Sequence, residues 1–379
     1  MAFNNNSVET FFLLVRVGLF GRTEGIEDFQ PDGVDWEEVY RLADEQSVVG
    51  LVADGIDLIR VEFSKTHPDT PLVPEDWSLQ FASVILQQEQ CNLGMNRFVE
   101  QLIGRLQRRN VRAILLKGQG LAQCYPNPLR RAYGDVDLLL REEDYQKALD
   151  FLLPFSSMSM IENEHKKDFA LMIDNWLIEL HGSLRCGFSS RIDRELDKIY
   201  HDSIDGENVR FWMNGKVQVP LLGKEDDVFY VFVHFLNHFY KGGVGIRQIC
   251  DWCRLLWTFR DSLDLIALES QLKRMKLMSE WRAFGMFAVE YLGMPEEGMP
   301  FFSKDEKWKR KARQILAFIL KTGNMGNNRK GEFGVDPYLK RKVKSFGQRL
   351  KDLTNHFAIF PLDTLRFFPS IFMNGLHQK

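Results

Sequence analysis

Asp135 and Asp137 stand two residues apart in Gly134-Asp135-Val136-Asp137-Leu138-Leu139-Leu140. In an extended strand, residues i and i+2 point to one face, with Cα atoms roughly 6.6 Å apart. Two carboxylates so placed can converge on a pair of divalent cations, which two-metal sites hold roughly 3.5–4 Å apart. A bare Asp-x-Asp is weak, because a chain this long contains about one by chance. Here the surrounding residues are apolar, and two charges facing a core without a counter-charge would be costly. The structural alternative is a solvated strand edge, or an ion pair with Arg130 or Arg131. Upstream, Lys117-Gly118-Gln119-Gly120 follows an apolar run and precedes a short helix. Such a turn offers backbone N–H groups and a helix N-terminus to a phosphate, with Lys117 adding charge. It is neither a P-loop nor a dinucleotide fingerprint, and an ordinary strand-to-helix turn would read the same way. Downstream, Ile178-Glu179-Leu180-His181 puts Glu179 and His181 on one face of a strand and Ile178 and Leu180 on the other. If that strand neighbours the Asp135 strand, Glu179 completes a three-carboxylate site; otherwise it is an exposed face.

The elements that would position these residues can be read from periodicity. Arg112–Leu116 and Asp135–Leu140 read as strands, and Leu121 to Tyr125 as a short helix followed by a loop with Pro126 and Pro128. Glu142-Glu143-Asp144 opens a helix to about Leu153, its acids at the positive end of the dipole. Phe169–Ile173 and Trp176–Leu180 read as a hairpin about Asp174-Asn175. Together they make an α/β core over residues 109–223 with a small mixed sheet. Residues 1–108 read as helical: Asp35-Trp36-Glu37-Glu38 resembles a capping box, and a second helix runs from near Trp77 to Asn110. Residues 224–379 turn helical again, starting with Asp226–Tyr240, and end in an aromatic tail that includes Phe357, Phe360, Phe367, Phe368 and Phe372. The expected class is therefore α+β, a mixed-sheet core flanked by two helical regions.

The stretch LLKGQGLAQCYPNPLRRAYGDVDLLL, followed by IELHGSL, resembles the uncharacterised bacterial nucleotidyltransferases of the DNA polymerase beta-like superfamily. The resemblance is strongest over residues 111–183, with a looser match at His234, His238 and Asp251. It implies a polymerase-beta-like core that transfers a nucleoside monophosphate from an NTP to an acceptor and releases pyrophosphate. Asp135, Asp137 and Glu179 would hold Mg²⁺ or Mn²⁺, and Glu179 would accept the acceptor's proton. Lys117, Gly118 and Gln119 would cradle phosphates, and Arg131 would pair with phosphate or orient an aspartate. His181, His234 and His238 would lie at the substrate or behind the carboxylates. The superfamily usually carries Gly-Ser or Gly-Gly in the turn, whereas Gly118 is followed here by Gln119. That departure carries the alternative, a catalytically inactive nucleotide-binding module with the same fold.

Composition narrows the partners less. The 379 residues are 45% hydrophobic and 27% charged, an ordinary globular balance that excludes disorder as the dominant state. Net charge is −3, but residues 303–351 hold 15 Lys or Arg against four acids, so charge is segregated. That stretch could track a polynucleotide backbone, or be a solvated helical face. The acceptor could be a small molecule, a protein or an RNA. Five scattered cysteines suit a reducing compartment, and Cys250-x-x-Cys253 lacks a second pair at zinc spacing, so it reads as helix packing. His234 and His238 share a helix face, where packing among Phe232, Phe235 and Phe239 is the plainer reading. The apolar N-terminal run is interrupted by Arg16 and too short to span a bilayer. A cytoplasmic protein without a membrane span is expected.

Overall fold

The computed structural model describes residues 5–23, 26, 29, 31, 33–159, 168–206, 208–324 and 352–377. Most of the basic stretch, residues 325–351, and the Phe372 side chain lie outside them. The fold is mixed α+β. Four helices come first: α1 (Asn5–Phe20), α2 (Trp36–Glu45), α3 (Val49–Thr66) and α4 (Glu75–Gln107). The Asp35 side chain caps α2 by accepting from the Glu38 N–H. The apolar N-terminal run is buried as α1, which crosses α3 at two glycines. A Cβ on Gly18 would stand 2.0 Å from the Leu51 carbonyl oxygen, and one on Gly55 2.1 Å from that of Leu14. No helix among the described residues is long and apolar enough to cross a membrane.

The core alternates β1 (Ala113–Leu116), α5 (Gly118–Ala122), β2 (Val136–Leu140), α6 (Glu142–Leu152), β3 (Met158–Ser159), β4 (Asp168–Ile173) and β5 (Trp176–His181). It continues through α7 (Ser190–Asp205), β6 (Val209–Asn214) and β7 (Val217–Leu222). Among the described residues one seven-stranded sheet results, in the order β3-β4-β5-β2-β1-β7-β6. β1 runs antiparallel to β2, and β2 parallel to β5. Asp174 and Asn175 both take positive φ, +50° and +68°, which matches the twist of a tight hairpin between β4 and β5.

β1 and β2 are buried along their whole length because helices cover both faces. Val136, Leu138 and Leu140 pack with Ile178 and Leu180 against Phe98 and Leu102 of α4 and Ala148 of α6. Ile114, Leu116 and Leu139 face the other way, into a core shared with α8 (Lys224–Lys241). That second core also takes in α1, α3, α9 (Ile246–Phe259), α10 (Leu265–Met275), α11 (Met278–Leu292) and α12 (Glu306–Thr322). The chain ends in α13 (residues 352–359) and α14 (Pro361–His377). Phe360 and Phe367 of the tail are buried there, Phe367 stacked on Phe188 at 3.9 Å, whereas Phe357 is exposed. Cys250 and Cys253 are buried free thiols on α9.

Candidate active site

Pairing of β2 with β5 sets Asp137 directly beside Glu179, and Leu139 beside His181. By the alternation of strand faces, Asp137, Glu179 and His181 then share the face turned toward α8 and α9. Asp137 and Glu179 border a cleft of about 250 Å³ closed on its far side by His234, His238, Arg247, Gln248 and Asp251. Lys117, Gly118, Arg131, Gly134 and Asp135 complete its wall.

Asp137 is the buried centre. Its Oδ2 lies 3.2 Å from Lys117 Nζ, and its Oδ1 lies 2.8 Å from His181 Nε2. Burial opposes its charge, but Lys117 and His181 outweigh burial and hold its carboxyl well below the usual range. Burial likewise works against the Lys117 ammonium, and the Asp137 carboxylate reverses that, raising it above an ordinary lysine. Lys117 carries this ammonium on a backbone at φ +49°, a conformation side-chain-bearing residues avoid. His181 is held from both ends, its Nδ1 2.9 Å from Asp168 Oδ1. Despite burial, these two carboxylates raise it to about 9. A protonated imidazole donates from both nitrogens, so without a bound cation His181 orients Asp137.

The two flanking carboxylates behave in the opposite way. Asp135 is raised chiefly by the charge of Asp137 and secondarily by burial. Glu179 is raised to about 7 by burial, then by Asp137 and Asp135. Three carboxylates thus crowd one cleft, with two of them short of counter-charge, which is where a divalent cation would bind with greatest gain. Ligand atoms of Asp137, Glu179 and His181 lie within 4.8 Å of one another, close enough to hold a metal ion. Asp135 stands outside that group while lining the same cleft. The oxygen-rich donor set fits Mg²⁺ or Mn²⁺ better than a soft metal.

The turn and the loop are fastened from α4. Asn92 Nδ2 donates to the Leu129 and Arg131 carbonyl oxygens at 2.6 and 3.0 Å, and Gln88 donates to that of Arg130. Gln119 donates to Asn92 Oδ1 and Asn96 Oδ1 at 3.2 and 2.7 Å. Its side chain is therefore turned into the α4 interface and does not line the cleft, so the phosphate-cradling role expected of this position falls to the backbone of the turn. Arg131 also departs from the simplest expectation. Its Nε and Nη2 donate to Asp251 Oδ1 and Oδ2 at 2.7 and 2.8 Å, so it orients an aspartate, though neither Asp135 nor Asp137. Arg130 pairs elsewhere, with Asp54, Asp57 and Glu89. His234 and His238 do face the cleft, their Nε2 atoms 3.1 Å apart, while Phe232, Phe235 and Phe239 are buried around them. Burial, then the Lys117 charge, keeps both imidazoles neutral, His238 at about 4.

Three contributors escaped the sequence reading: Asp168, Arg247 and the Gln88-Asn92-Asn96 stripe. The stripe has a signal, polar residues at i, i+4 and i+8 on an otherwise apolar helix face. Arg247 has one too, standing four residues before Asp251 on the same face of α9.

This combination of a mixed sheet, a glycine turn and carboxylates on adjacent strands defines a candidate phosphoryl- or nucleotidyl-transfer site. A family model described as uncharacterised nucleotidyltransferase matches residues 32–293, and the chain belongs to that family. Among solved structures, an antigenic nucleotidyltransferase-like protein from Paracoccidioides brasiliensis is similar over 48% of this chain and 90% of its own, with 16% identity and a TM-score of 0.30. No curated protein matches the chain.

Proposed function

We propose that the cleft transfers a nucleoside monophosphate from an NTP to an acceptor nucleophile, with Asp135, Asp137 and Glu179 holding Mg²⁺ or Mn²⁺. The observation that carries this is the Asp137–Glu179 register on parallel strands, which brings carboxylates of residues far apart in sequence to one buried cleft. The chemistry that a bound divalent cation supplies there is neutralisation of charge at the α-phosphate and on the departing pyrophosphate. Glu179, the carboxylate at the cleft's open edge beside Asp137, would accept the acceptor's proton. The acceptor oxygen then bonds to the α-phosphorus as the bond to pyrophosphate breaks. His181 and Lys117 keep Asp137 ionised and fixed in place, and Arg131 with Asp251 fixes the loop that precedes Asp135. The acceptor is a small molecule, a protein or an RNA.

Asp137→Asn keeps the size of the side chain and removes its charge. Pyrophosphate release from an NTP in the presence of Mg²⁺ is expected to fall by at least about a hundredfold, with the circular dichroism spectrum retained. Unchanged turnover in that variant would contradict the mechanism. The second reading, a nucleotide-binding module without turnover, is favoured by the commitment of the Gln119 side chain to α4. It predicts metal-dependent NTP affinity with no pyrophosphate release against any acceptor.

A further inference from the structure

Across the cleft from the carboxylates stands a guanidinium with incomplete bonding. Arg247, near the start of α9, reaches the Ala132 carbonyl oxygen only at 3.5 Å and the Asp251 carboxylate only at 4.0 Å. Its buried Nε has no hydrogen-bond partner. Asp251 has little left to offer, since both its oxygens accept from Arg131 and Oδ1 accepts also from Tyr125 at 2.8 Å. Burial, and then the neighbouring Arg131 charge, pull Arg247 below the ordinary arginine range. A buried cation with unmet donors beside a second cation is only partly compensated.

The other cations on the cleft are committed. Lys117 is paired with Asp137 and Arg131 with Asp251. Among the described residues lining the cleft, Arg247 is thus the cation with capacity for an incoming anion. It lies near enough to Asp135 for each to sense the other's charge. The imidazoles of His234 and His238, on the same wall, are uncharged, so neither brings a positive charge to an anion. A ligand that satisfies both walls needs one end suited to metal-bearing carboxylates and another suited to a forked guanidinium. A polyphosphate chain meets both requirements.

Building on the nucleotidyl-transfer reading, we infer that Arg247 binds the β,γ-phosphate end of the donor nucleotide and sets the preference for triphosphate over monophosphate. The helical wall, and not the Lys117-Gly118 turn alone, then carries the grip that pyrophosphate relinquishes when it leaves.

The test is calorimetric titration of the full chain, in Mg²⁺, with each of the four NTPs, the matching monophosphates and inorganic pyrophosphate. Arg247→Gln is expected to weaken NTP and pyrophosphate binding by about tenfold or more while leaving monophosphate affinity unchanged. Arg247→Lys keeps the charge without the fork and should recover part of the loss; should Arg247→Gln fail to fold, the fall in NTP-to-monophosphate ratio is read on Arg247→Lys. Equal weakening of all three ligand classes would assign Arg247 a structural role and overturn the inference. NTP affinity identical in wild type and Arg247→Gln would overturn it while leaving nucleotidyl transfer standing. A wild-type protein that binds none of the three would remove both.

Discussion

Lys117 and His181 do for Asp137 what a metal ion would do, which is to compensate a carboxylate that is 1% exposed. Removing one of these cations leaves a buried charge partly unpaired. Lys117→Met is therefore expected to destabilise the metal-free protein by about 2–3 kcal/mol in denaturant unfolding, the loss expected of a hydrogen bond to a charged group. Added Mg²⁺ should restore more stability to this variant than to the wild type, because the ion binds the folded state and replaces the missing charge. A deficit indifferent to Mg²⁺ would argue against a cation at Asp137. His238 makes a separate prediction. Its imidazole takes a proton near 6.5 when unfolded but only at about 4 when folded, so the unfolded chain binds more protons between those values. Its contribution to stability is present above 6.5 and lost as pH falls through that window. His238→Gln removes the titrating group and should lose less stability than the wild type on acidification, by up to about 3 kcal/mol. Parallel curves for the two proteins would mean that His238 is solvated and charges freely.

At the level of elements, the site depends on one register and one fastening. The register aligns β2 with β5; the fastening is the polar stripe of α4 that holds residues 129–131 before Asp135. α3 approaches the same loop so closely that a Cβ on Gly50 would stand 1.8 Å from the Arg130 carbonyl oxygen. Gly50→Ala is expected to cost about 1–3 kcal/mol and to shift the loop, so that activity falls although residue 50 touches no substrate. Thermal unfolding and pyrophosphate release measured on the same sample check both halves; wild-type activity would show that the loop absorbs the displacement. β1, β2 and the β4–β5 hairpin were legible because apolar runs and Asp174-Asn175 mark them locally. β6 and β7 went unnamed: β6 exposes Phe211 and Met213 at the sheet edge, so its apolar residues do not mark a buried face. The committed state of Gln119 was not legible, since its partners Asn92 and Asn96 belong to a helix 23 or more residues away.

On the scale of the whole molecule, the N-terminal and C-terminal helical zones share one hydrophobic core, in which Phe11 and Val15 of α1 join Phe284 and Phe287 of α11. Sequence separates these zones because the α/β segment lies between them, and only the tertiary fold joins them across the sheet. The same fold separates the two poles of the cleft: Asp137 and Glu179 come from the sheet, with Asp135 just before β2, while Arg247 and the two imidazoles come from α9 and α8. The acidic pole could be read from spacing, two residues apart on one strand and completed by a strand forty residues on. The cationic pole depended on which face α9 presents, which a sequence leaves open. The central claim is that a nucleotide and a divalent cation meet at this acidic pole. Its most direct test is calorimetric binding of the four NTPs, with and without Mg²⁺, to the wild type and to the Asp135→Ala/Asp137→Ala double variant. Metal-dependent binding by the wild type that the double variant loses is the predicted result. Binding that persists in the double variant, or that ignores the metal, would contradict the account.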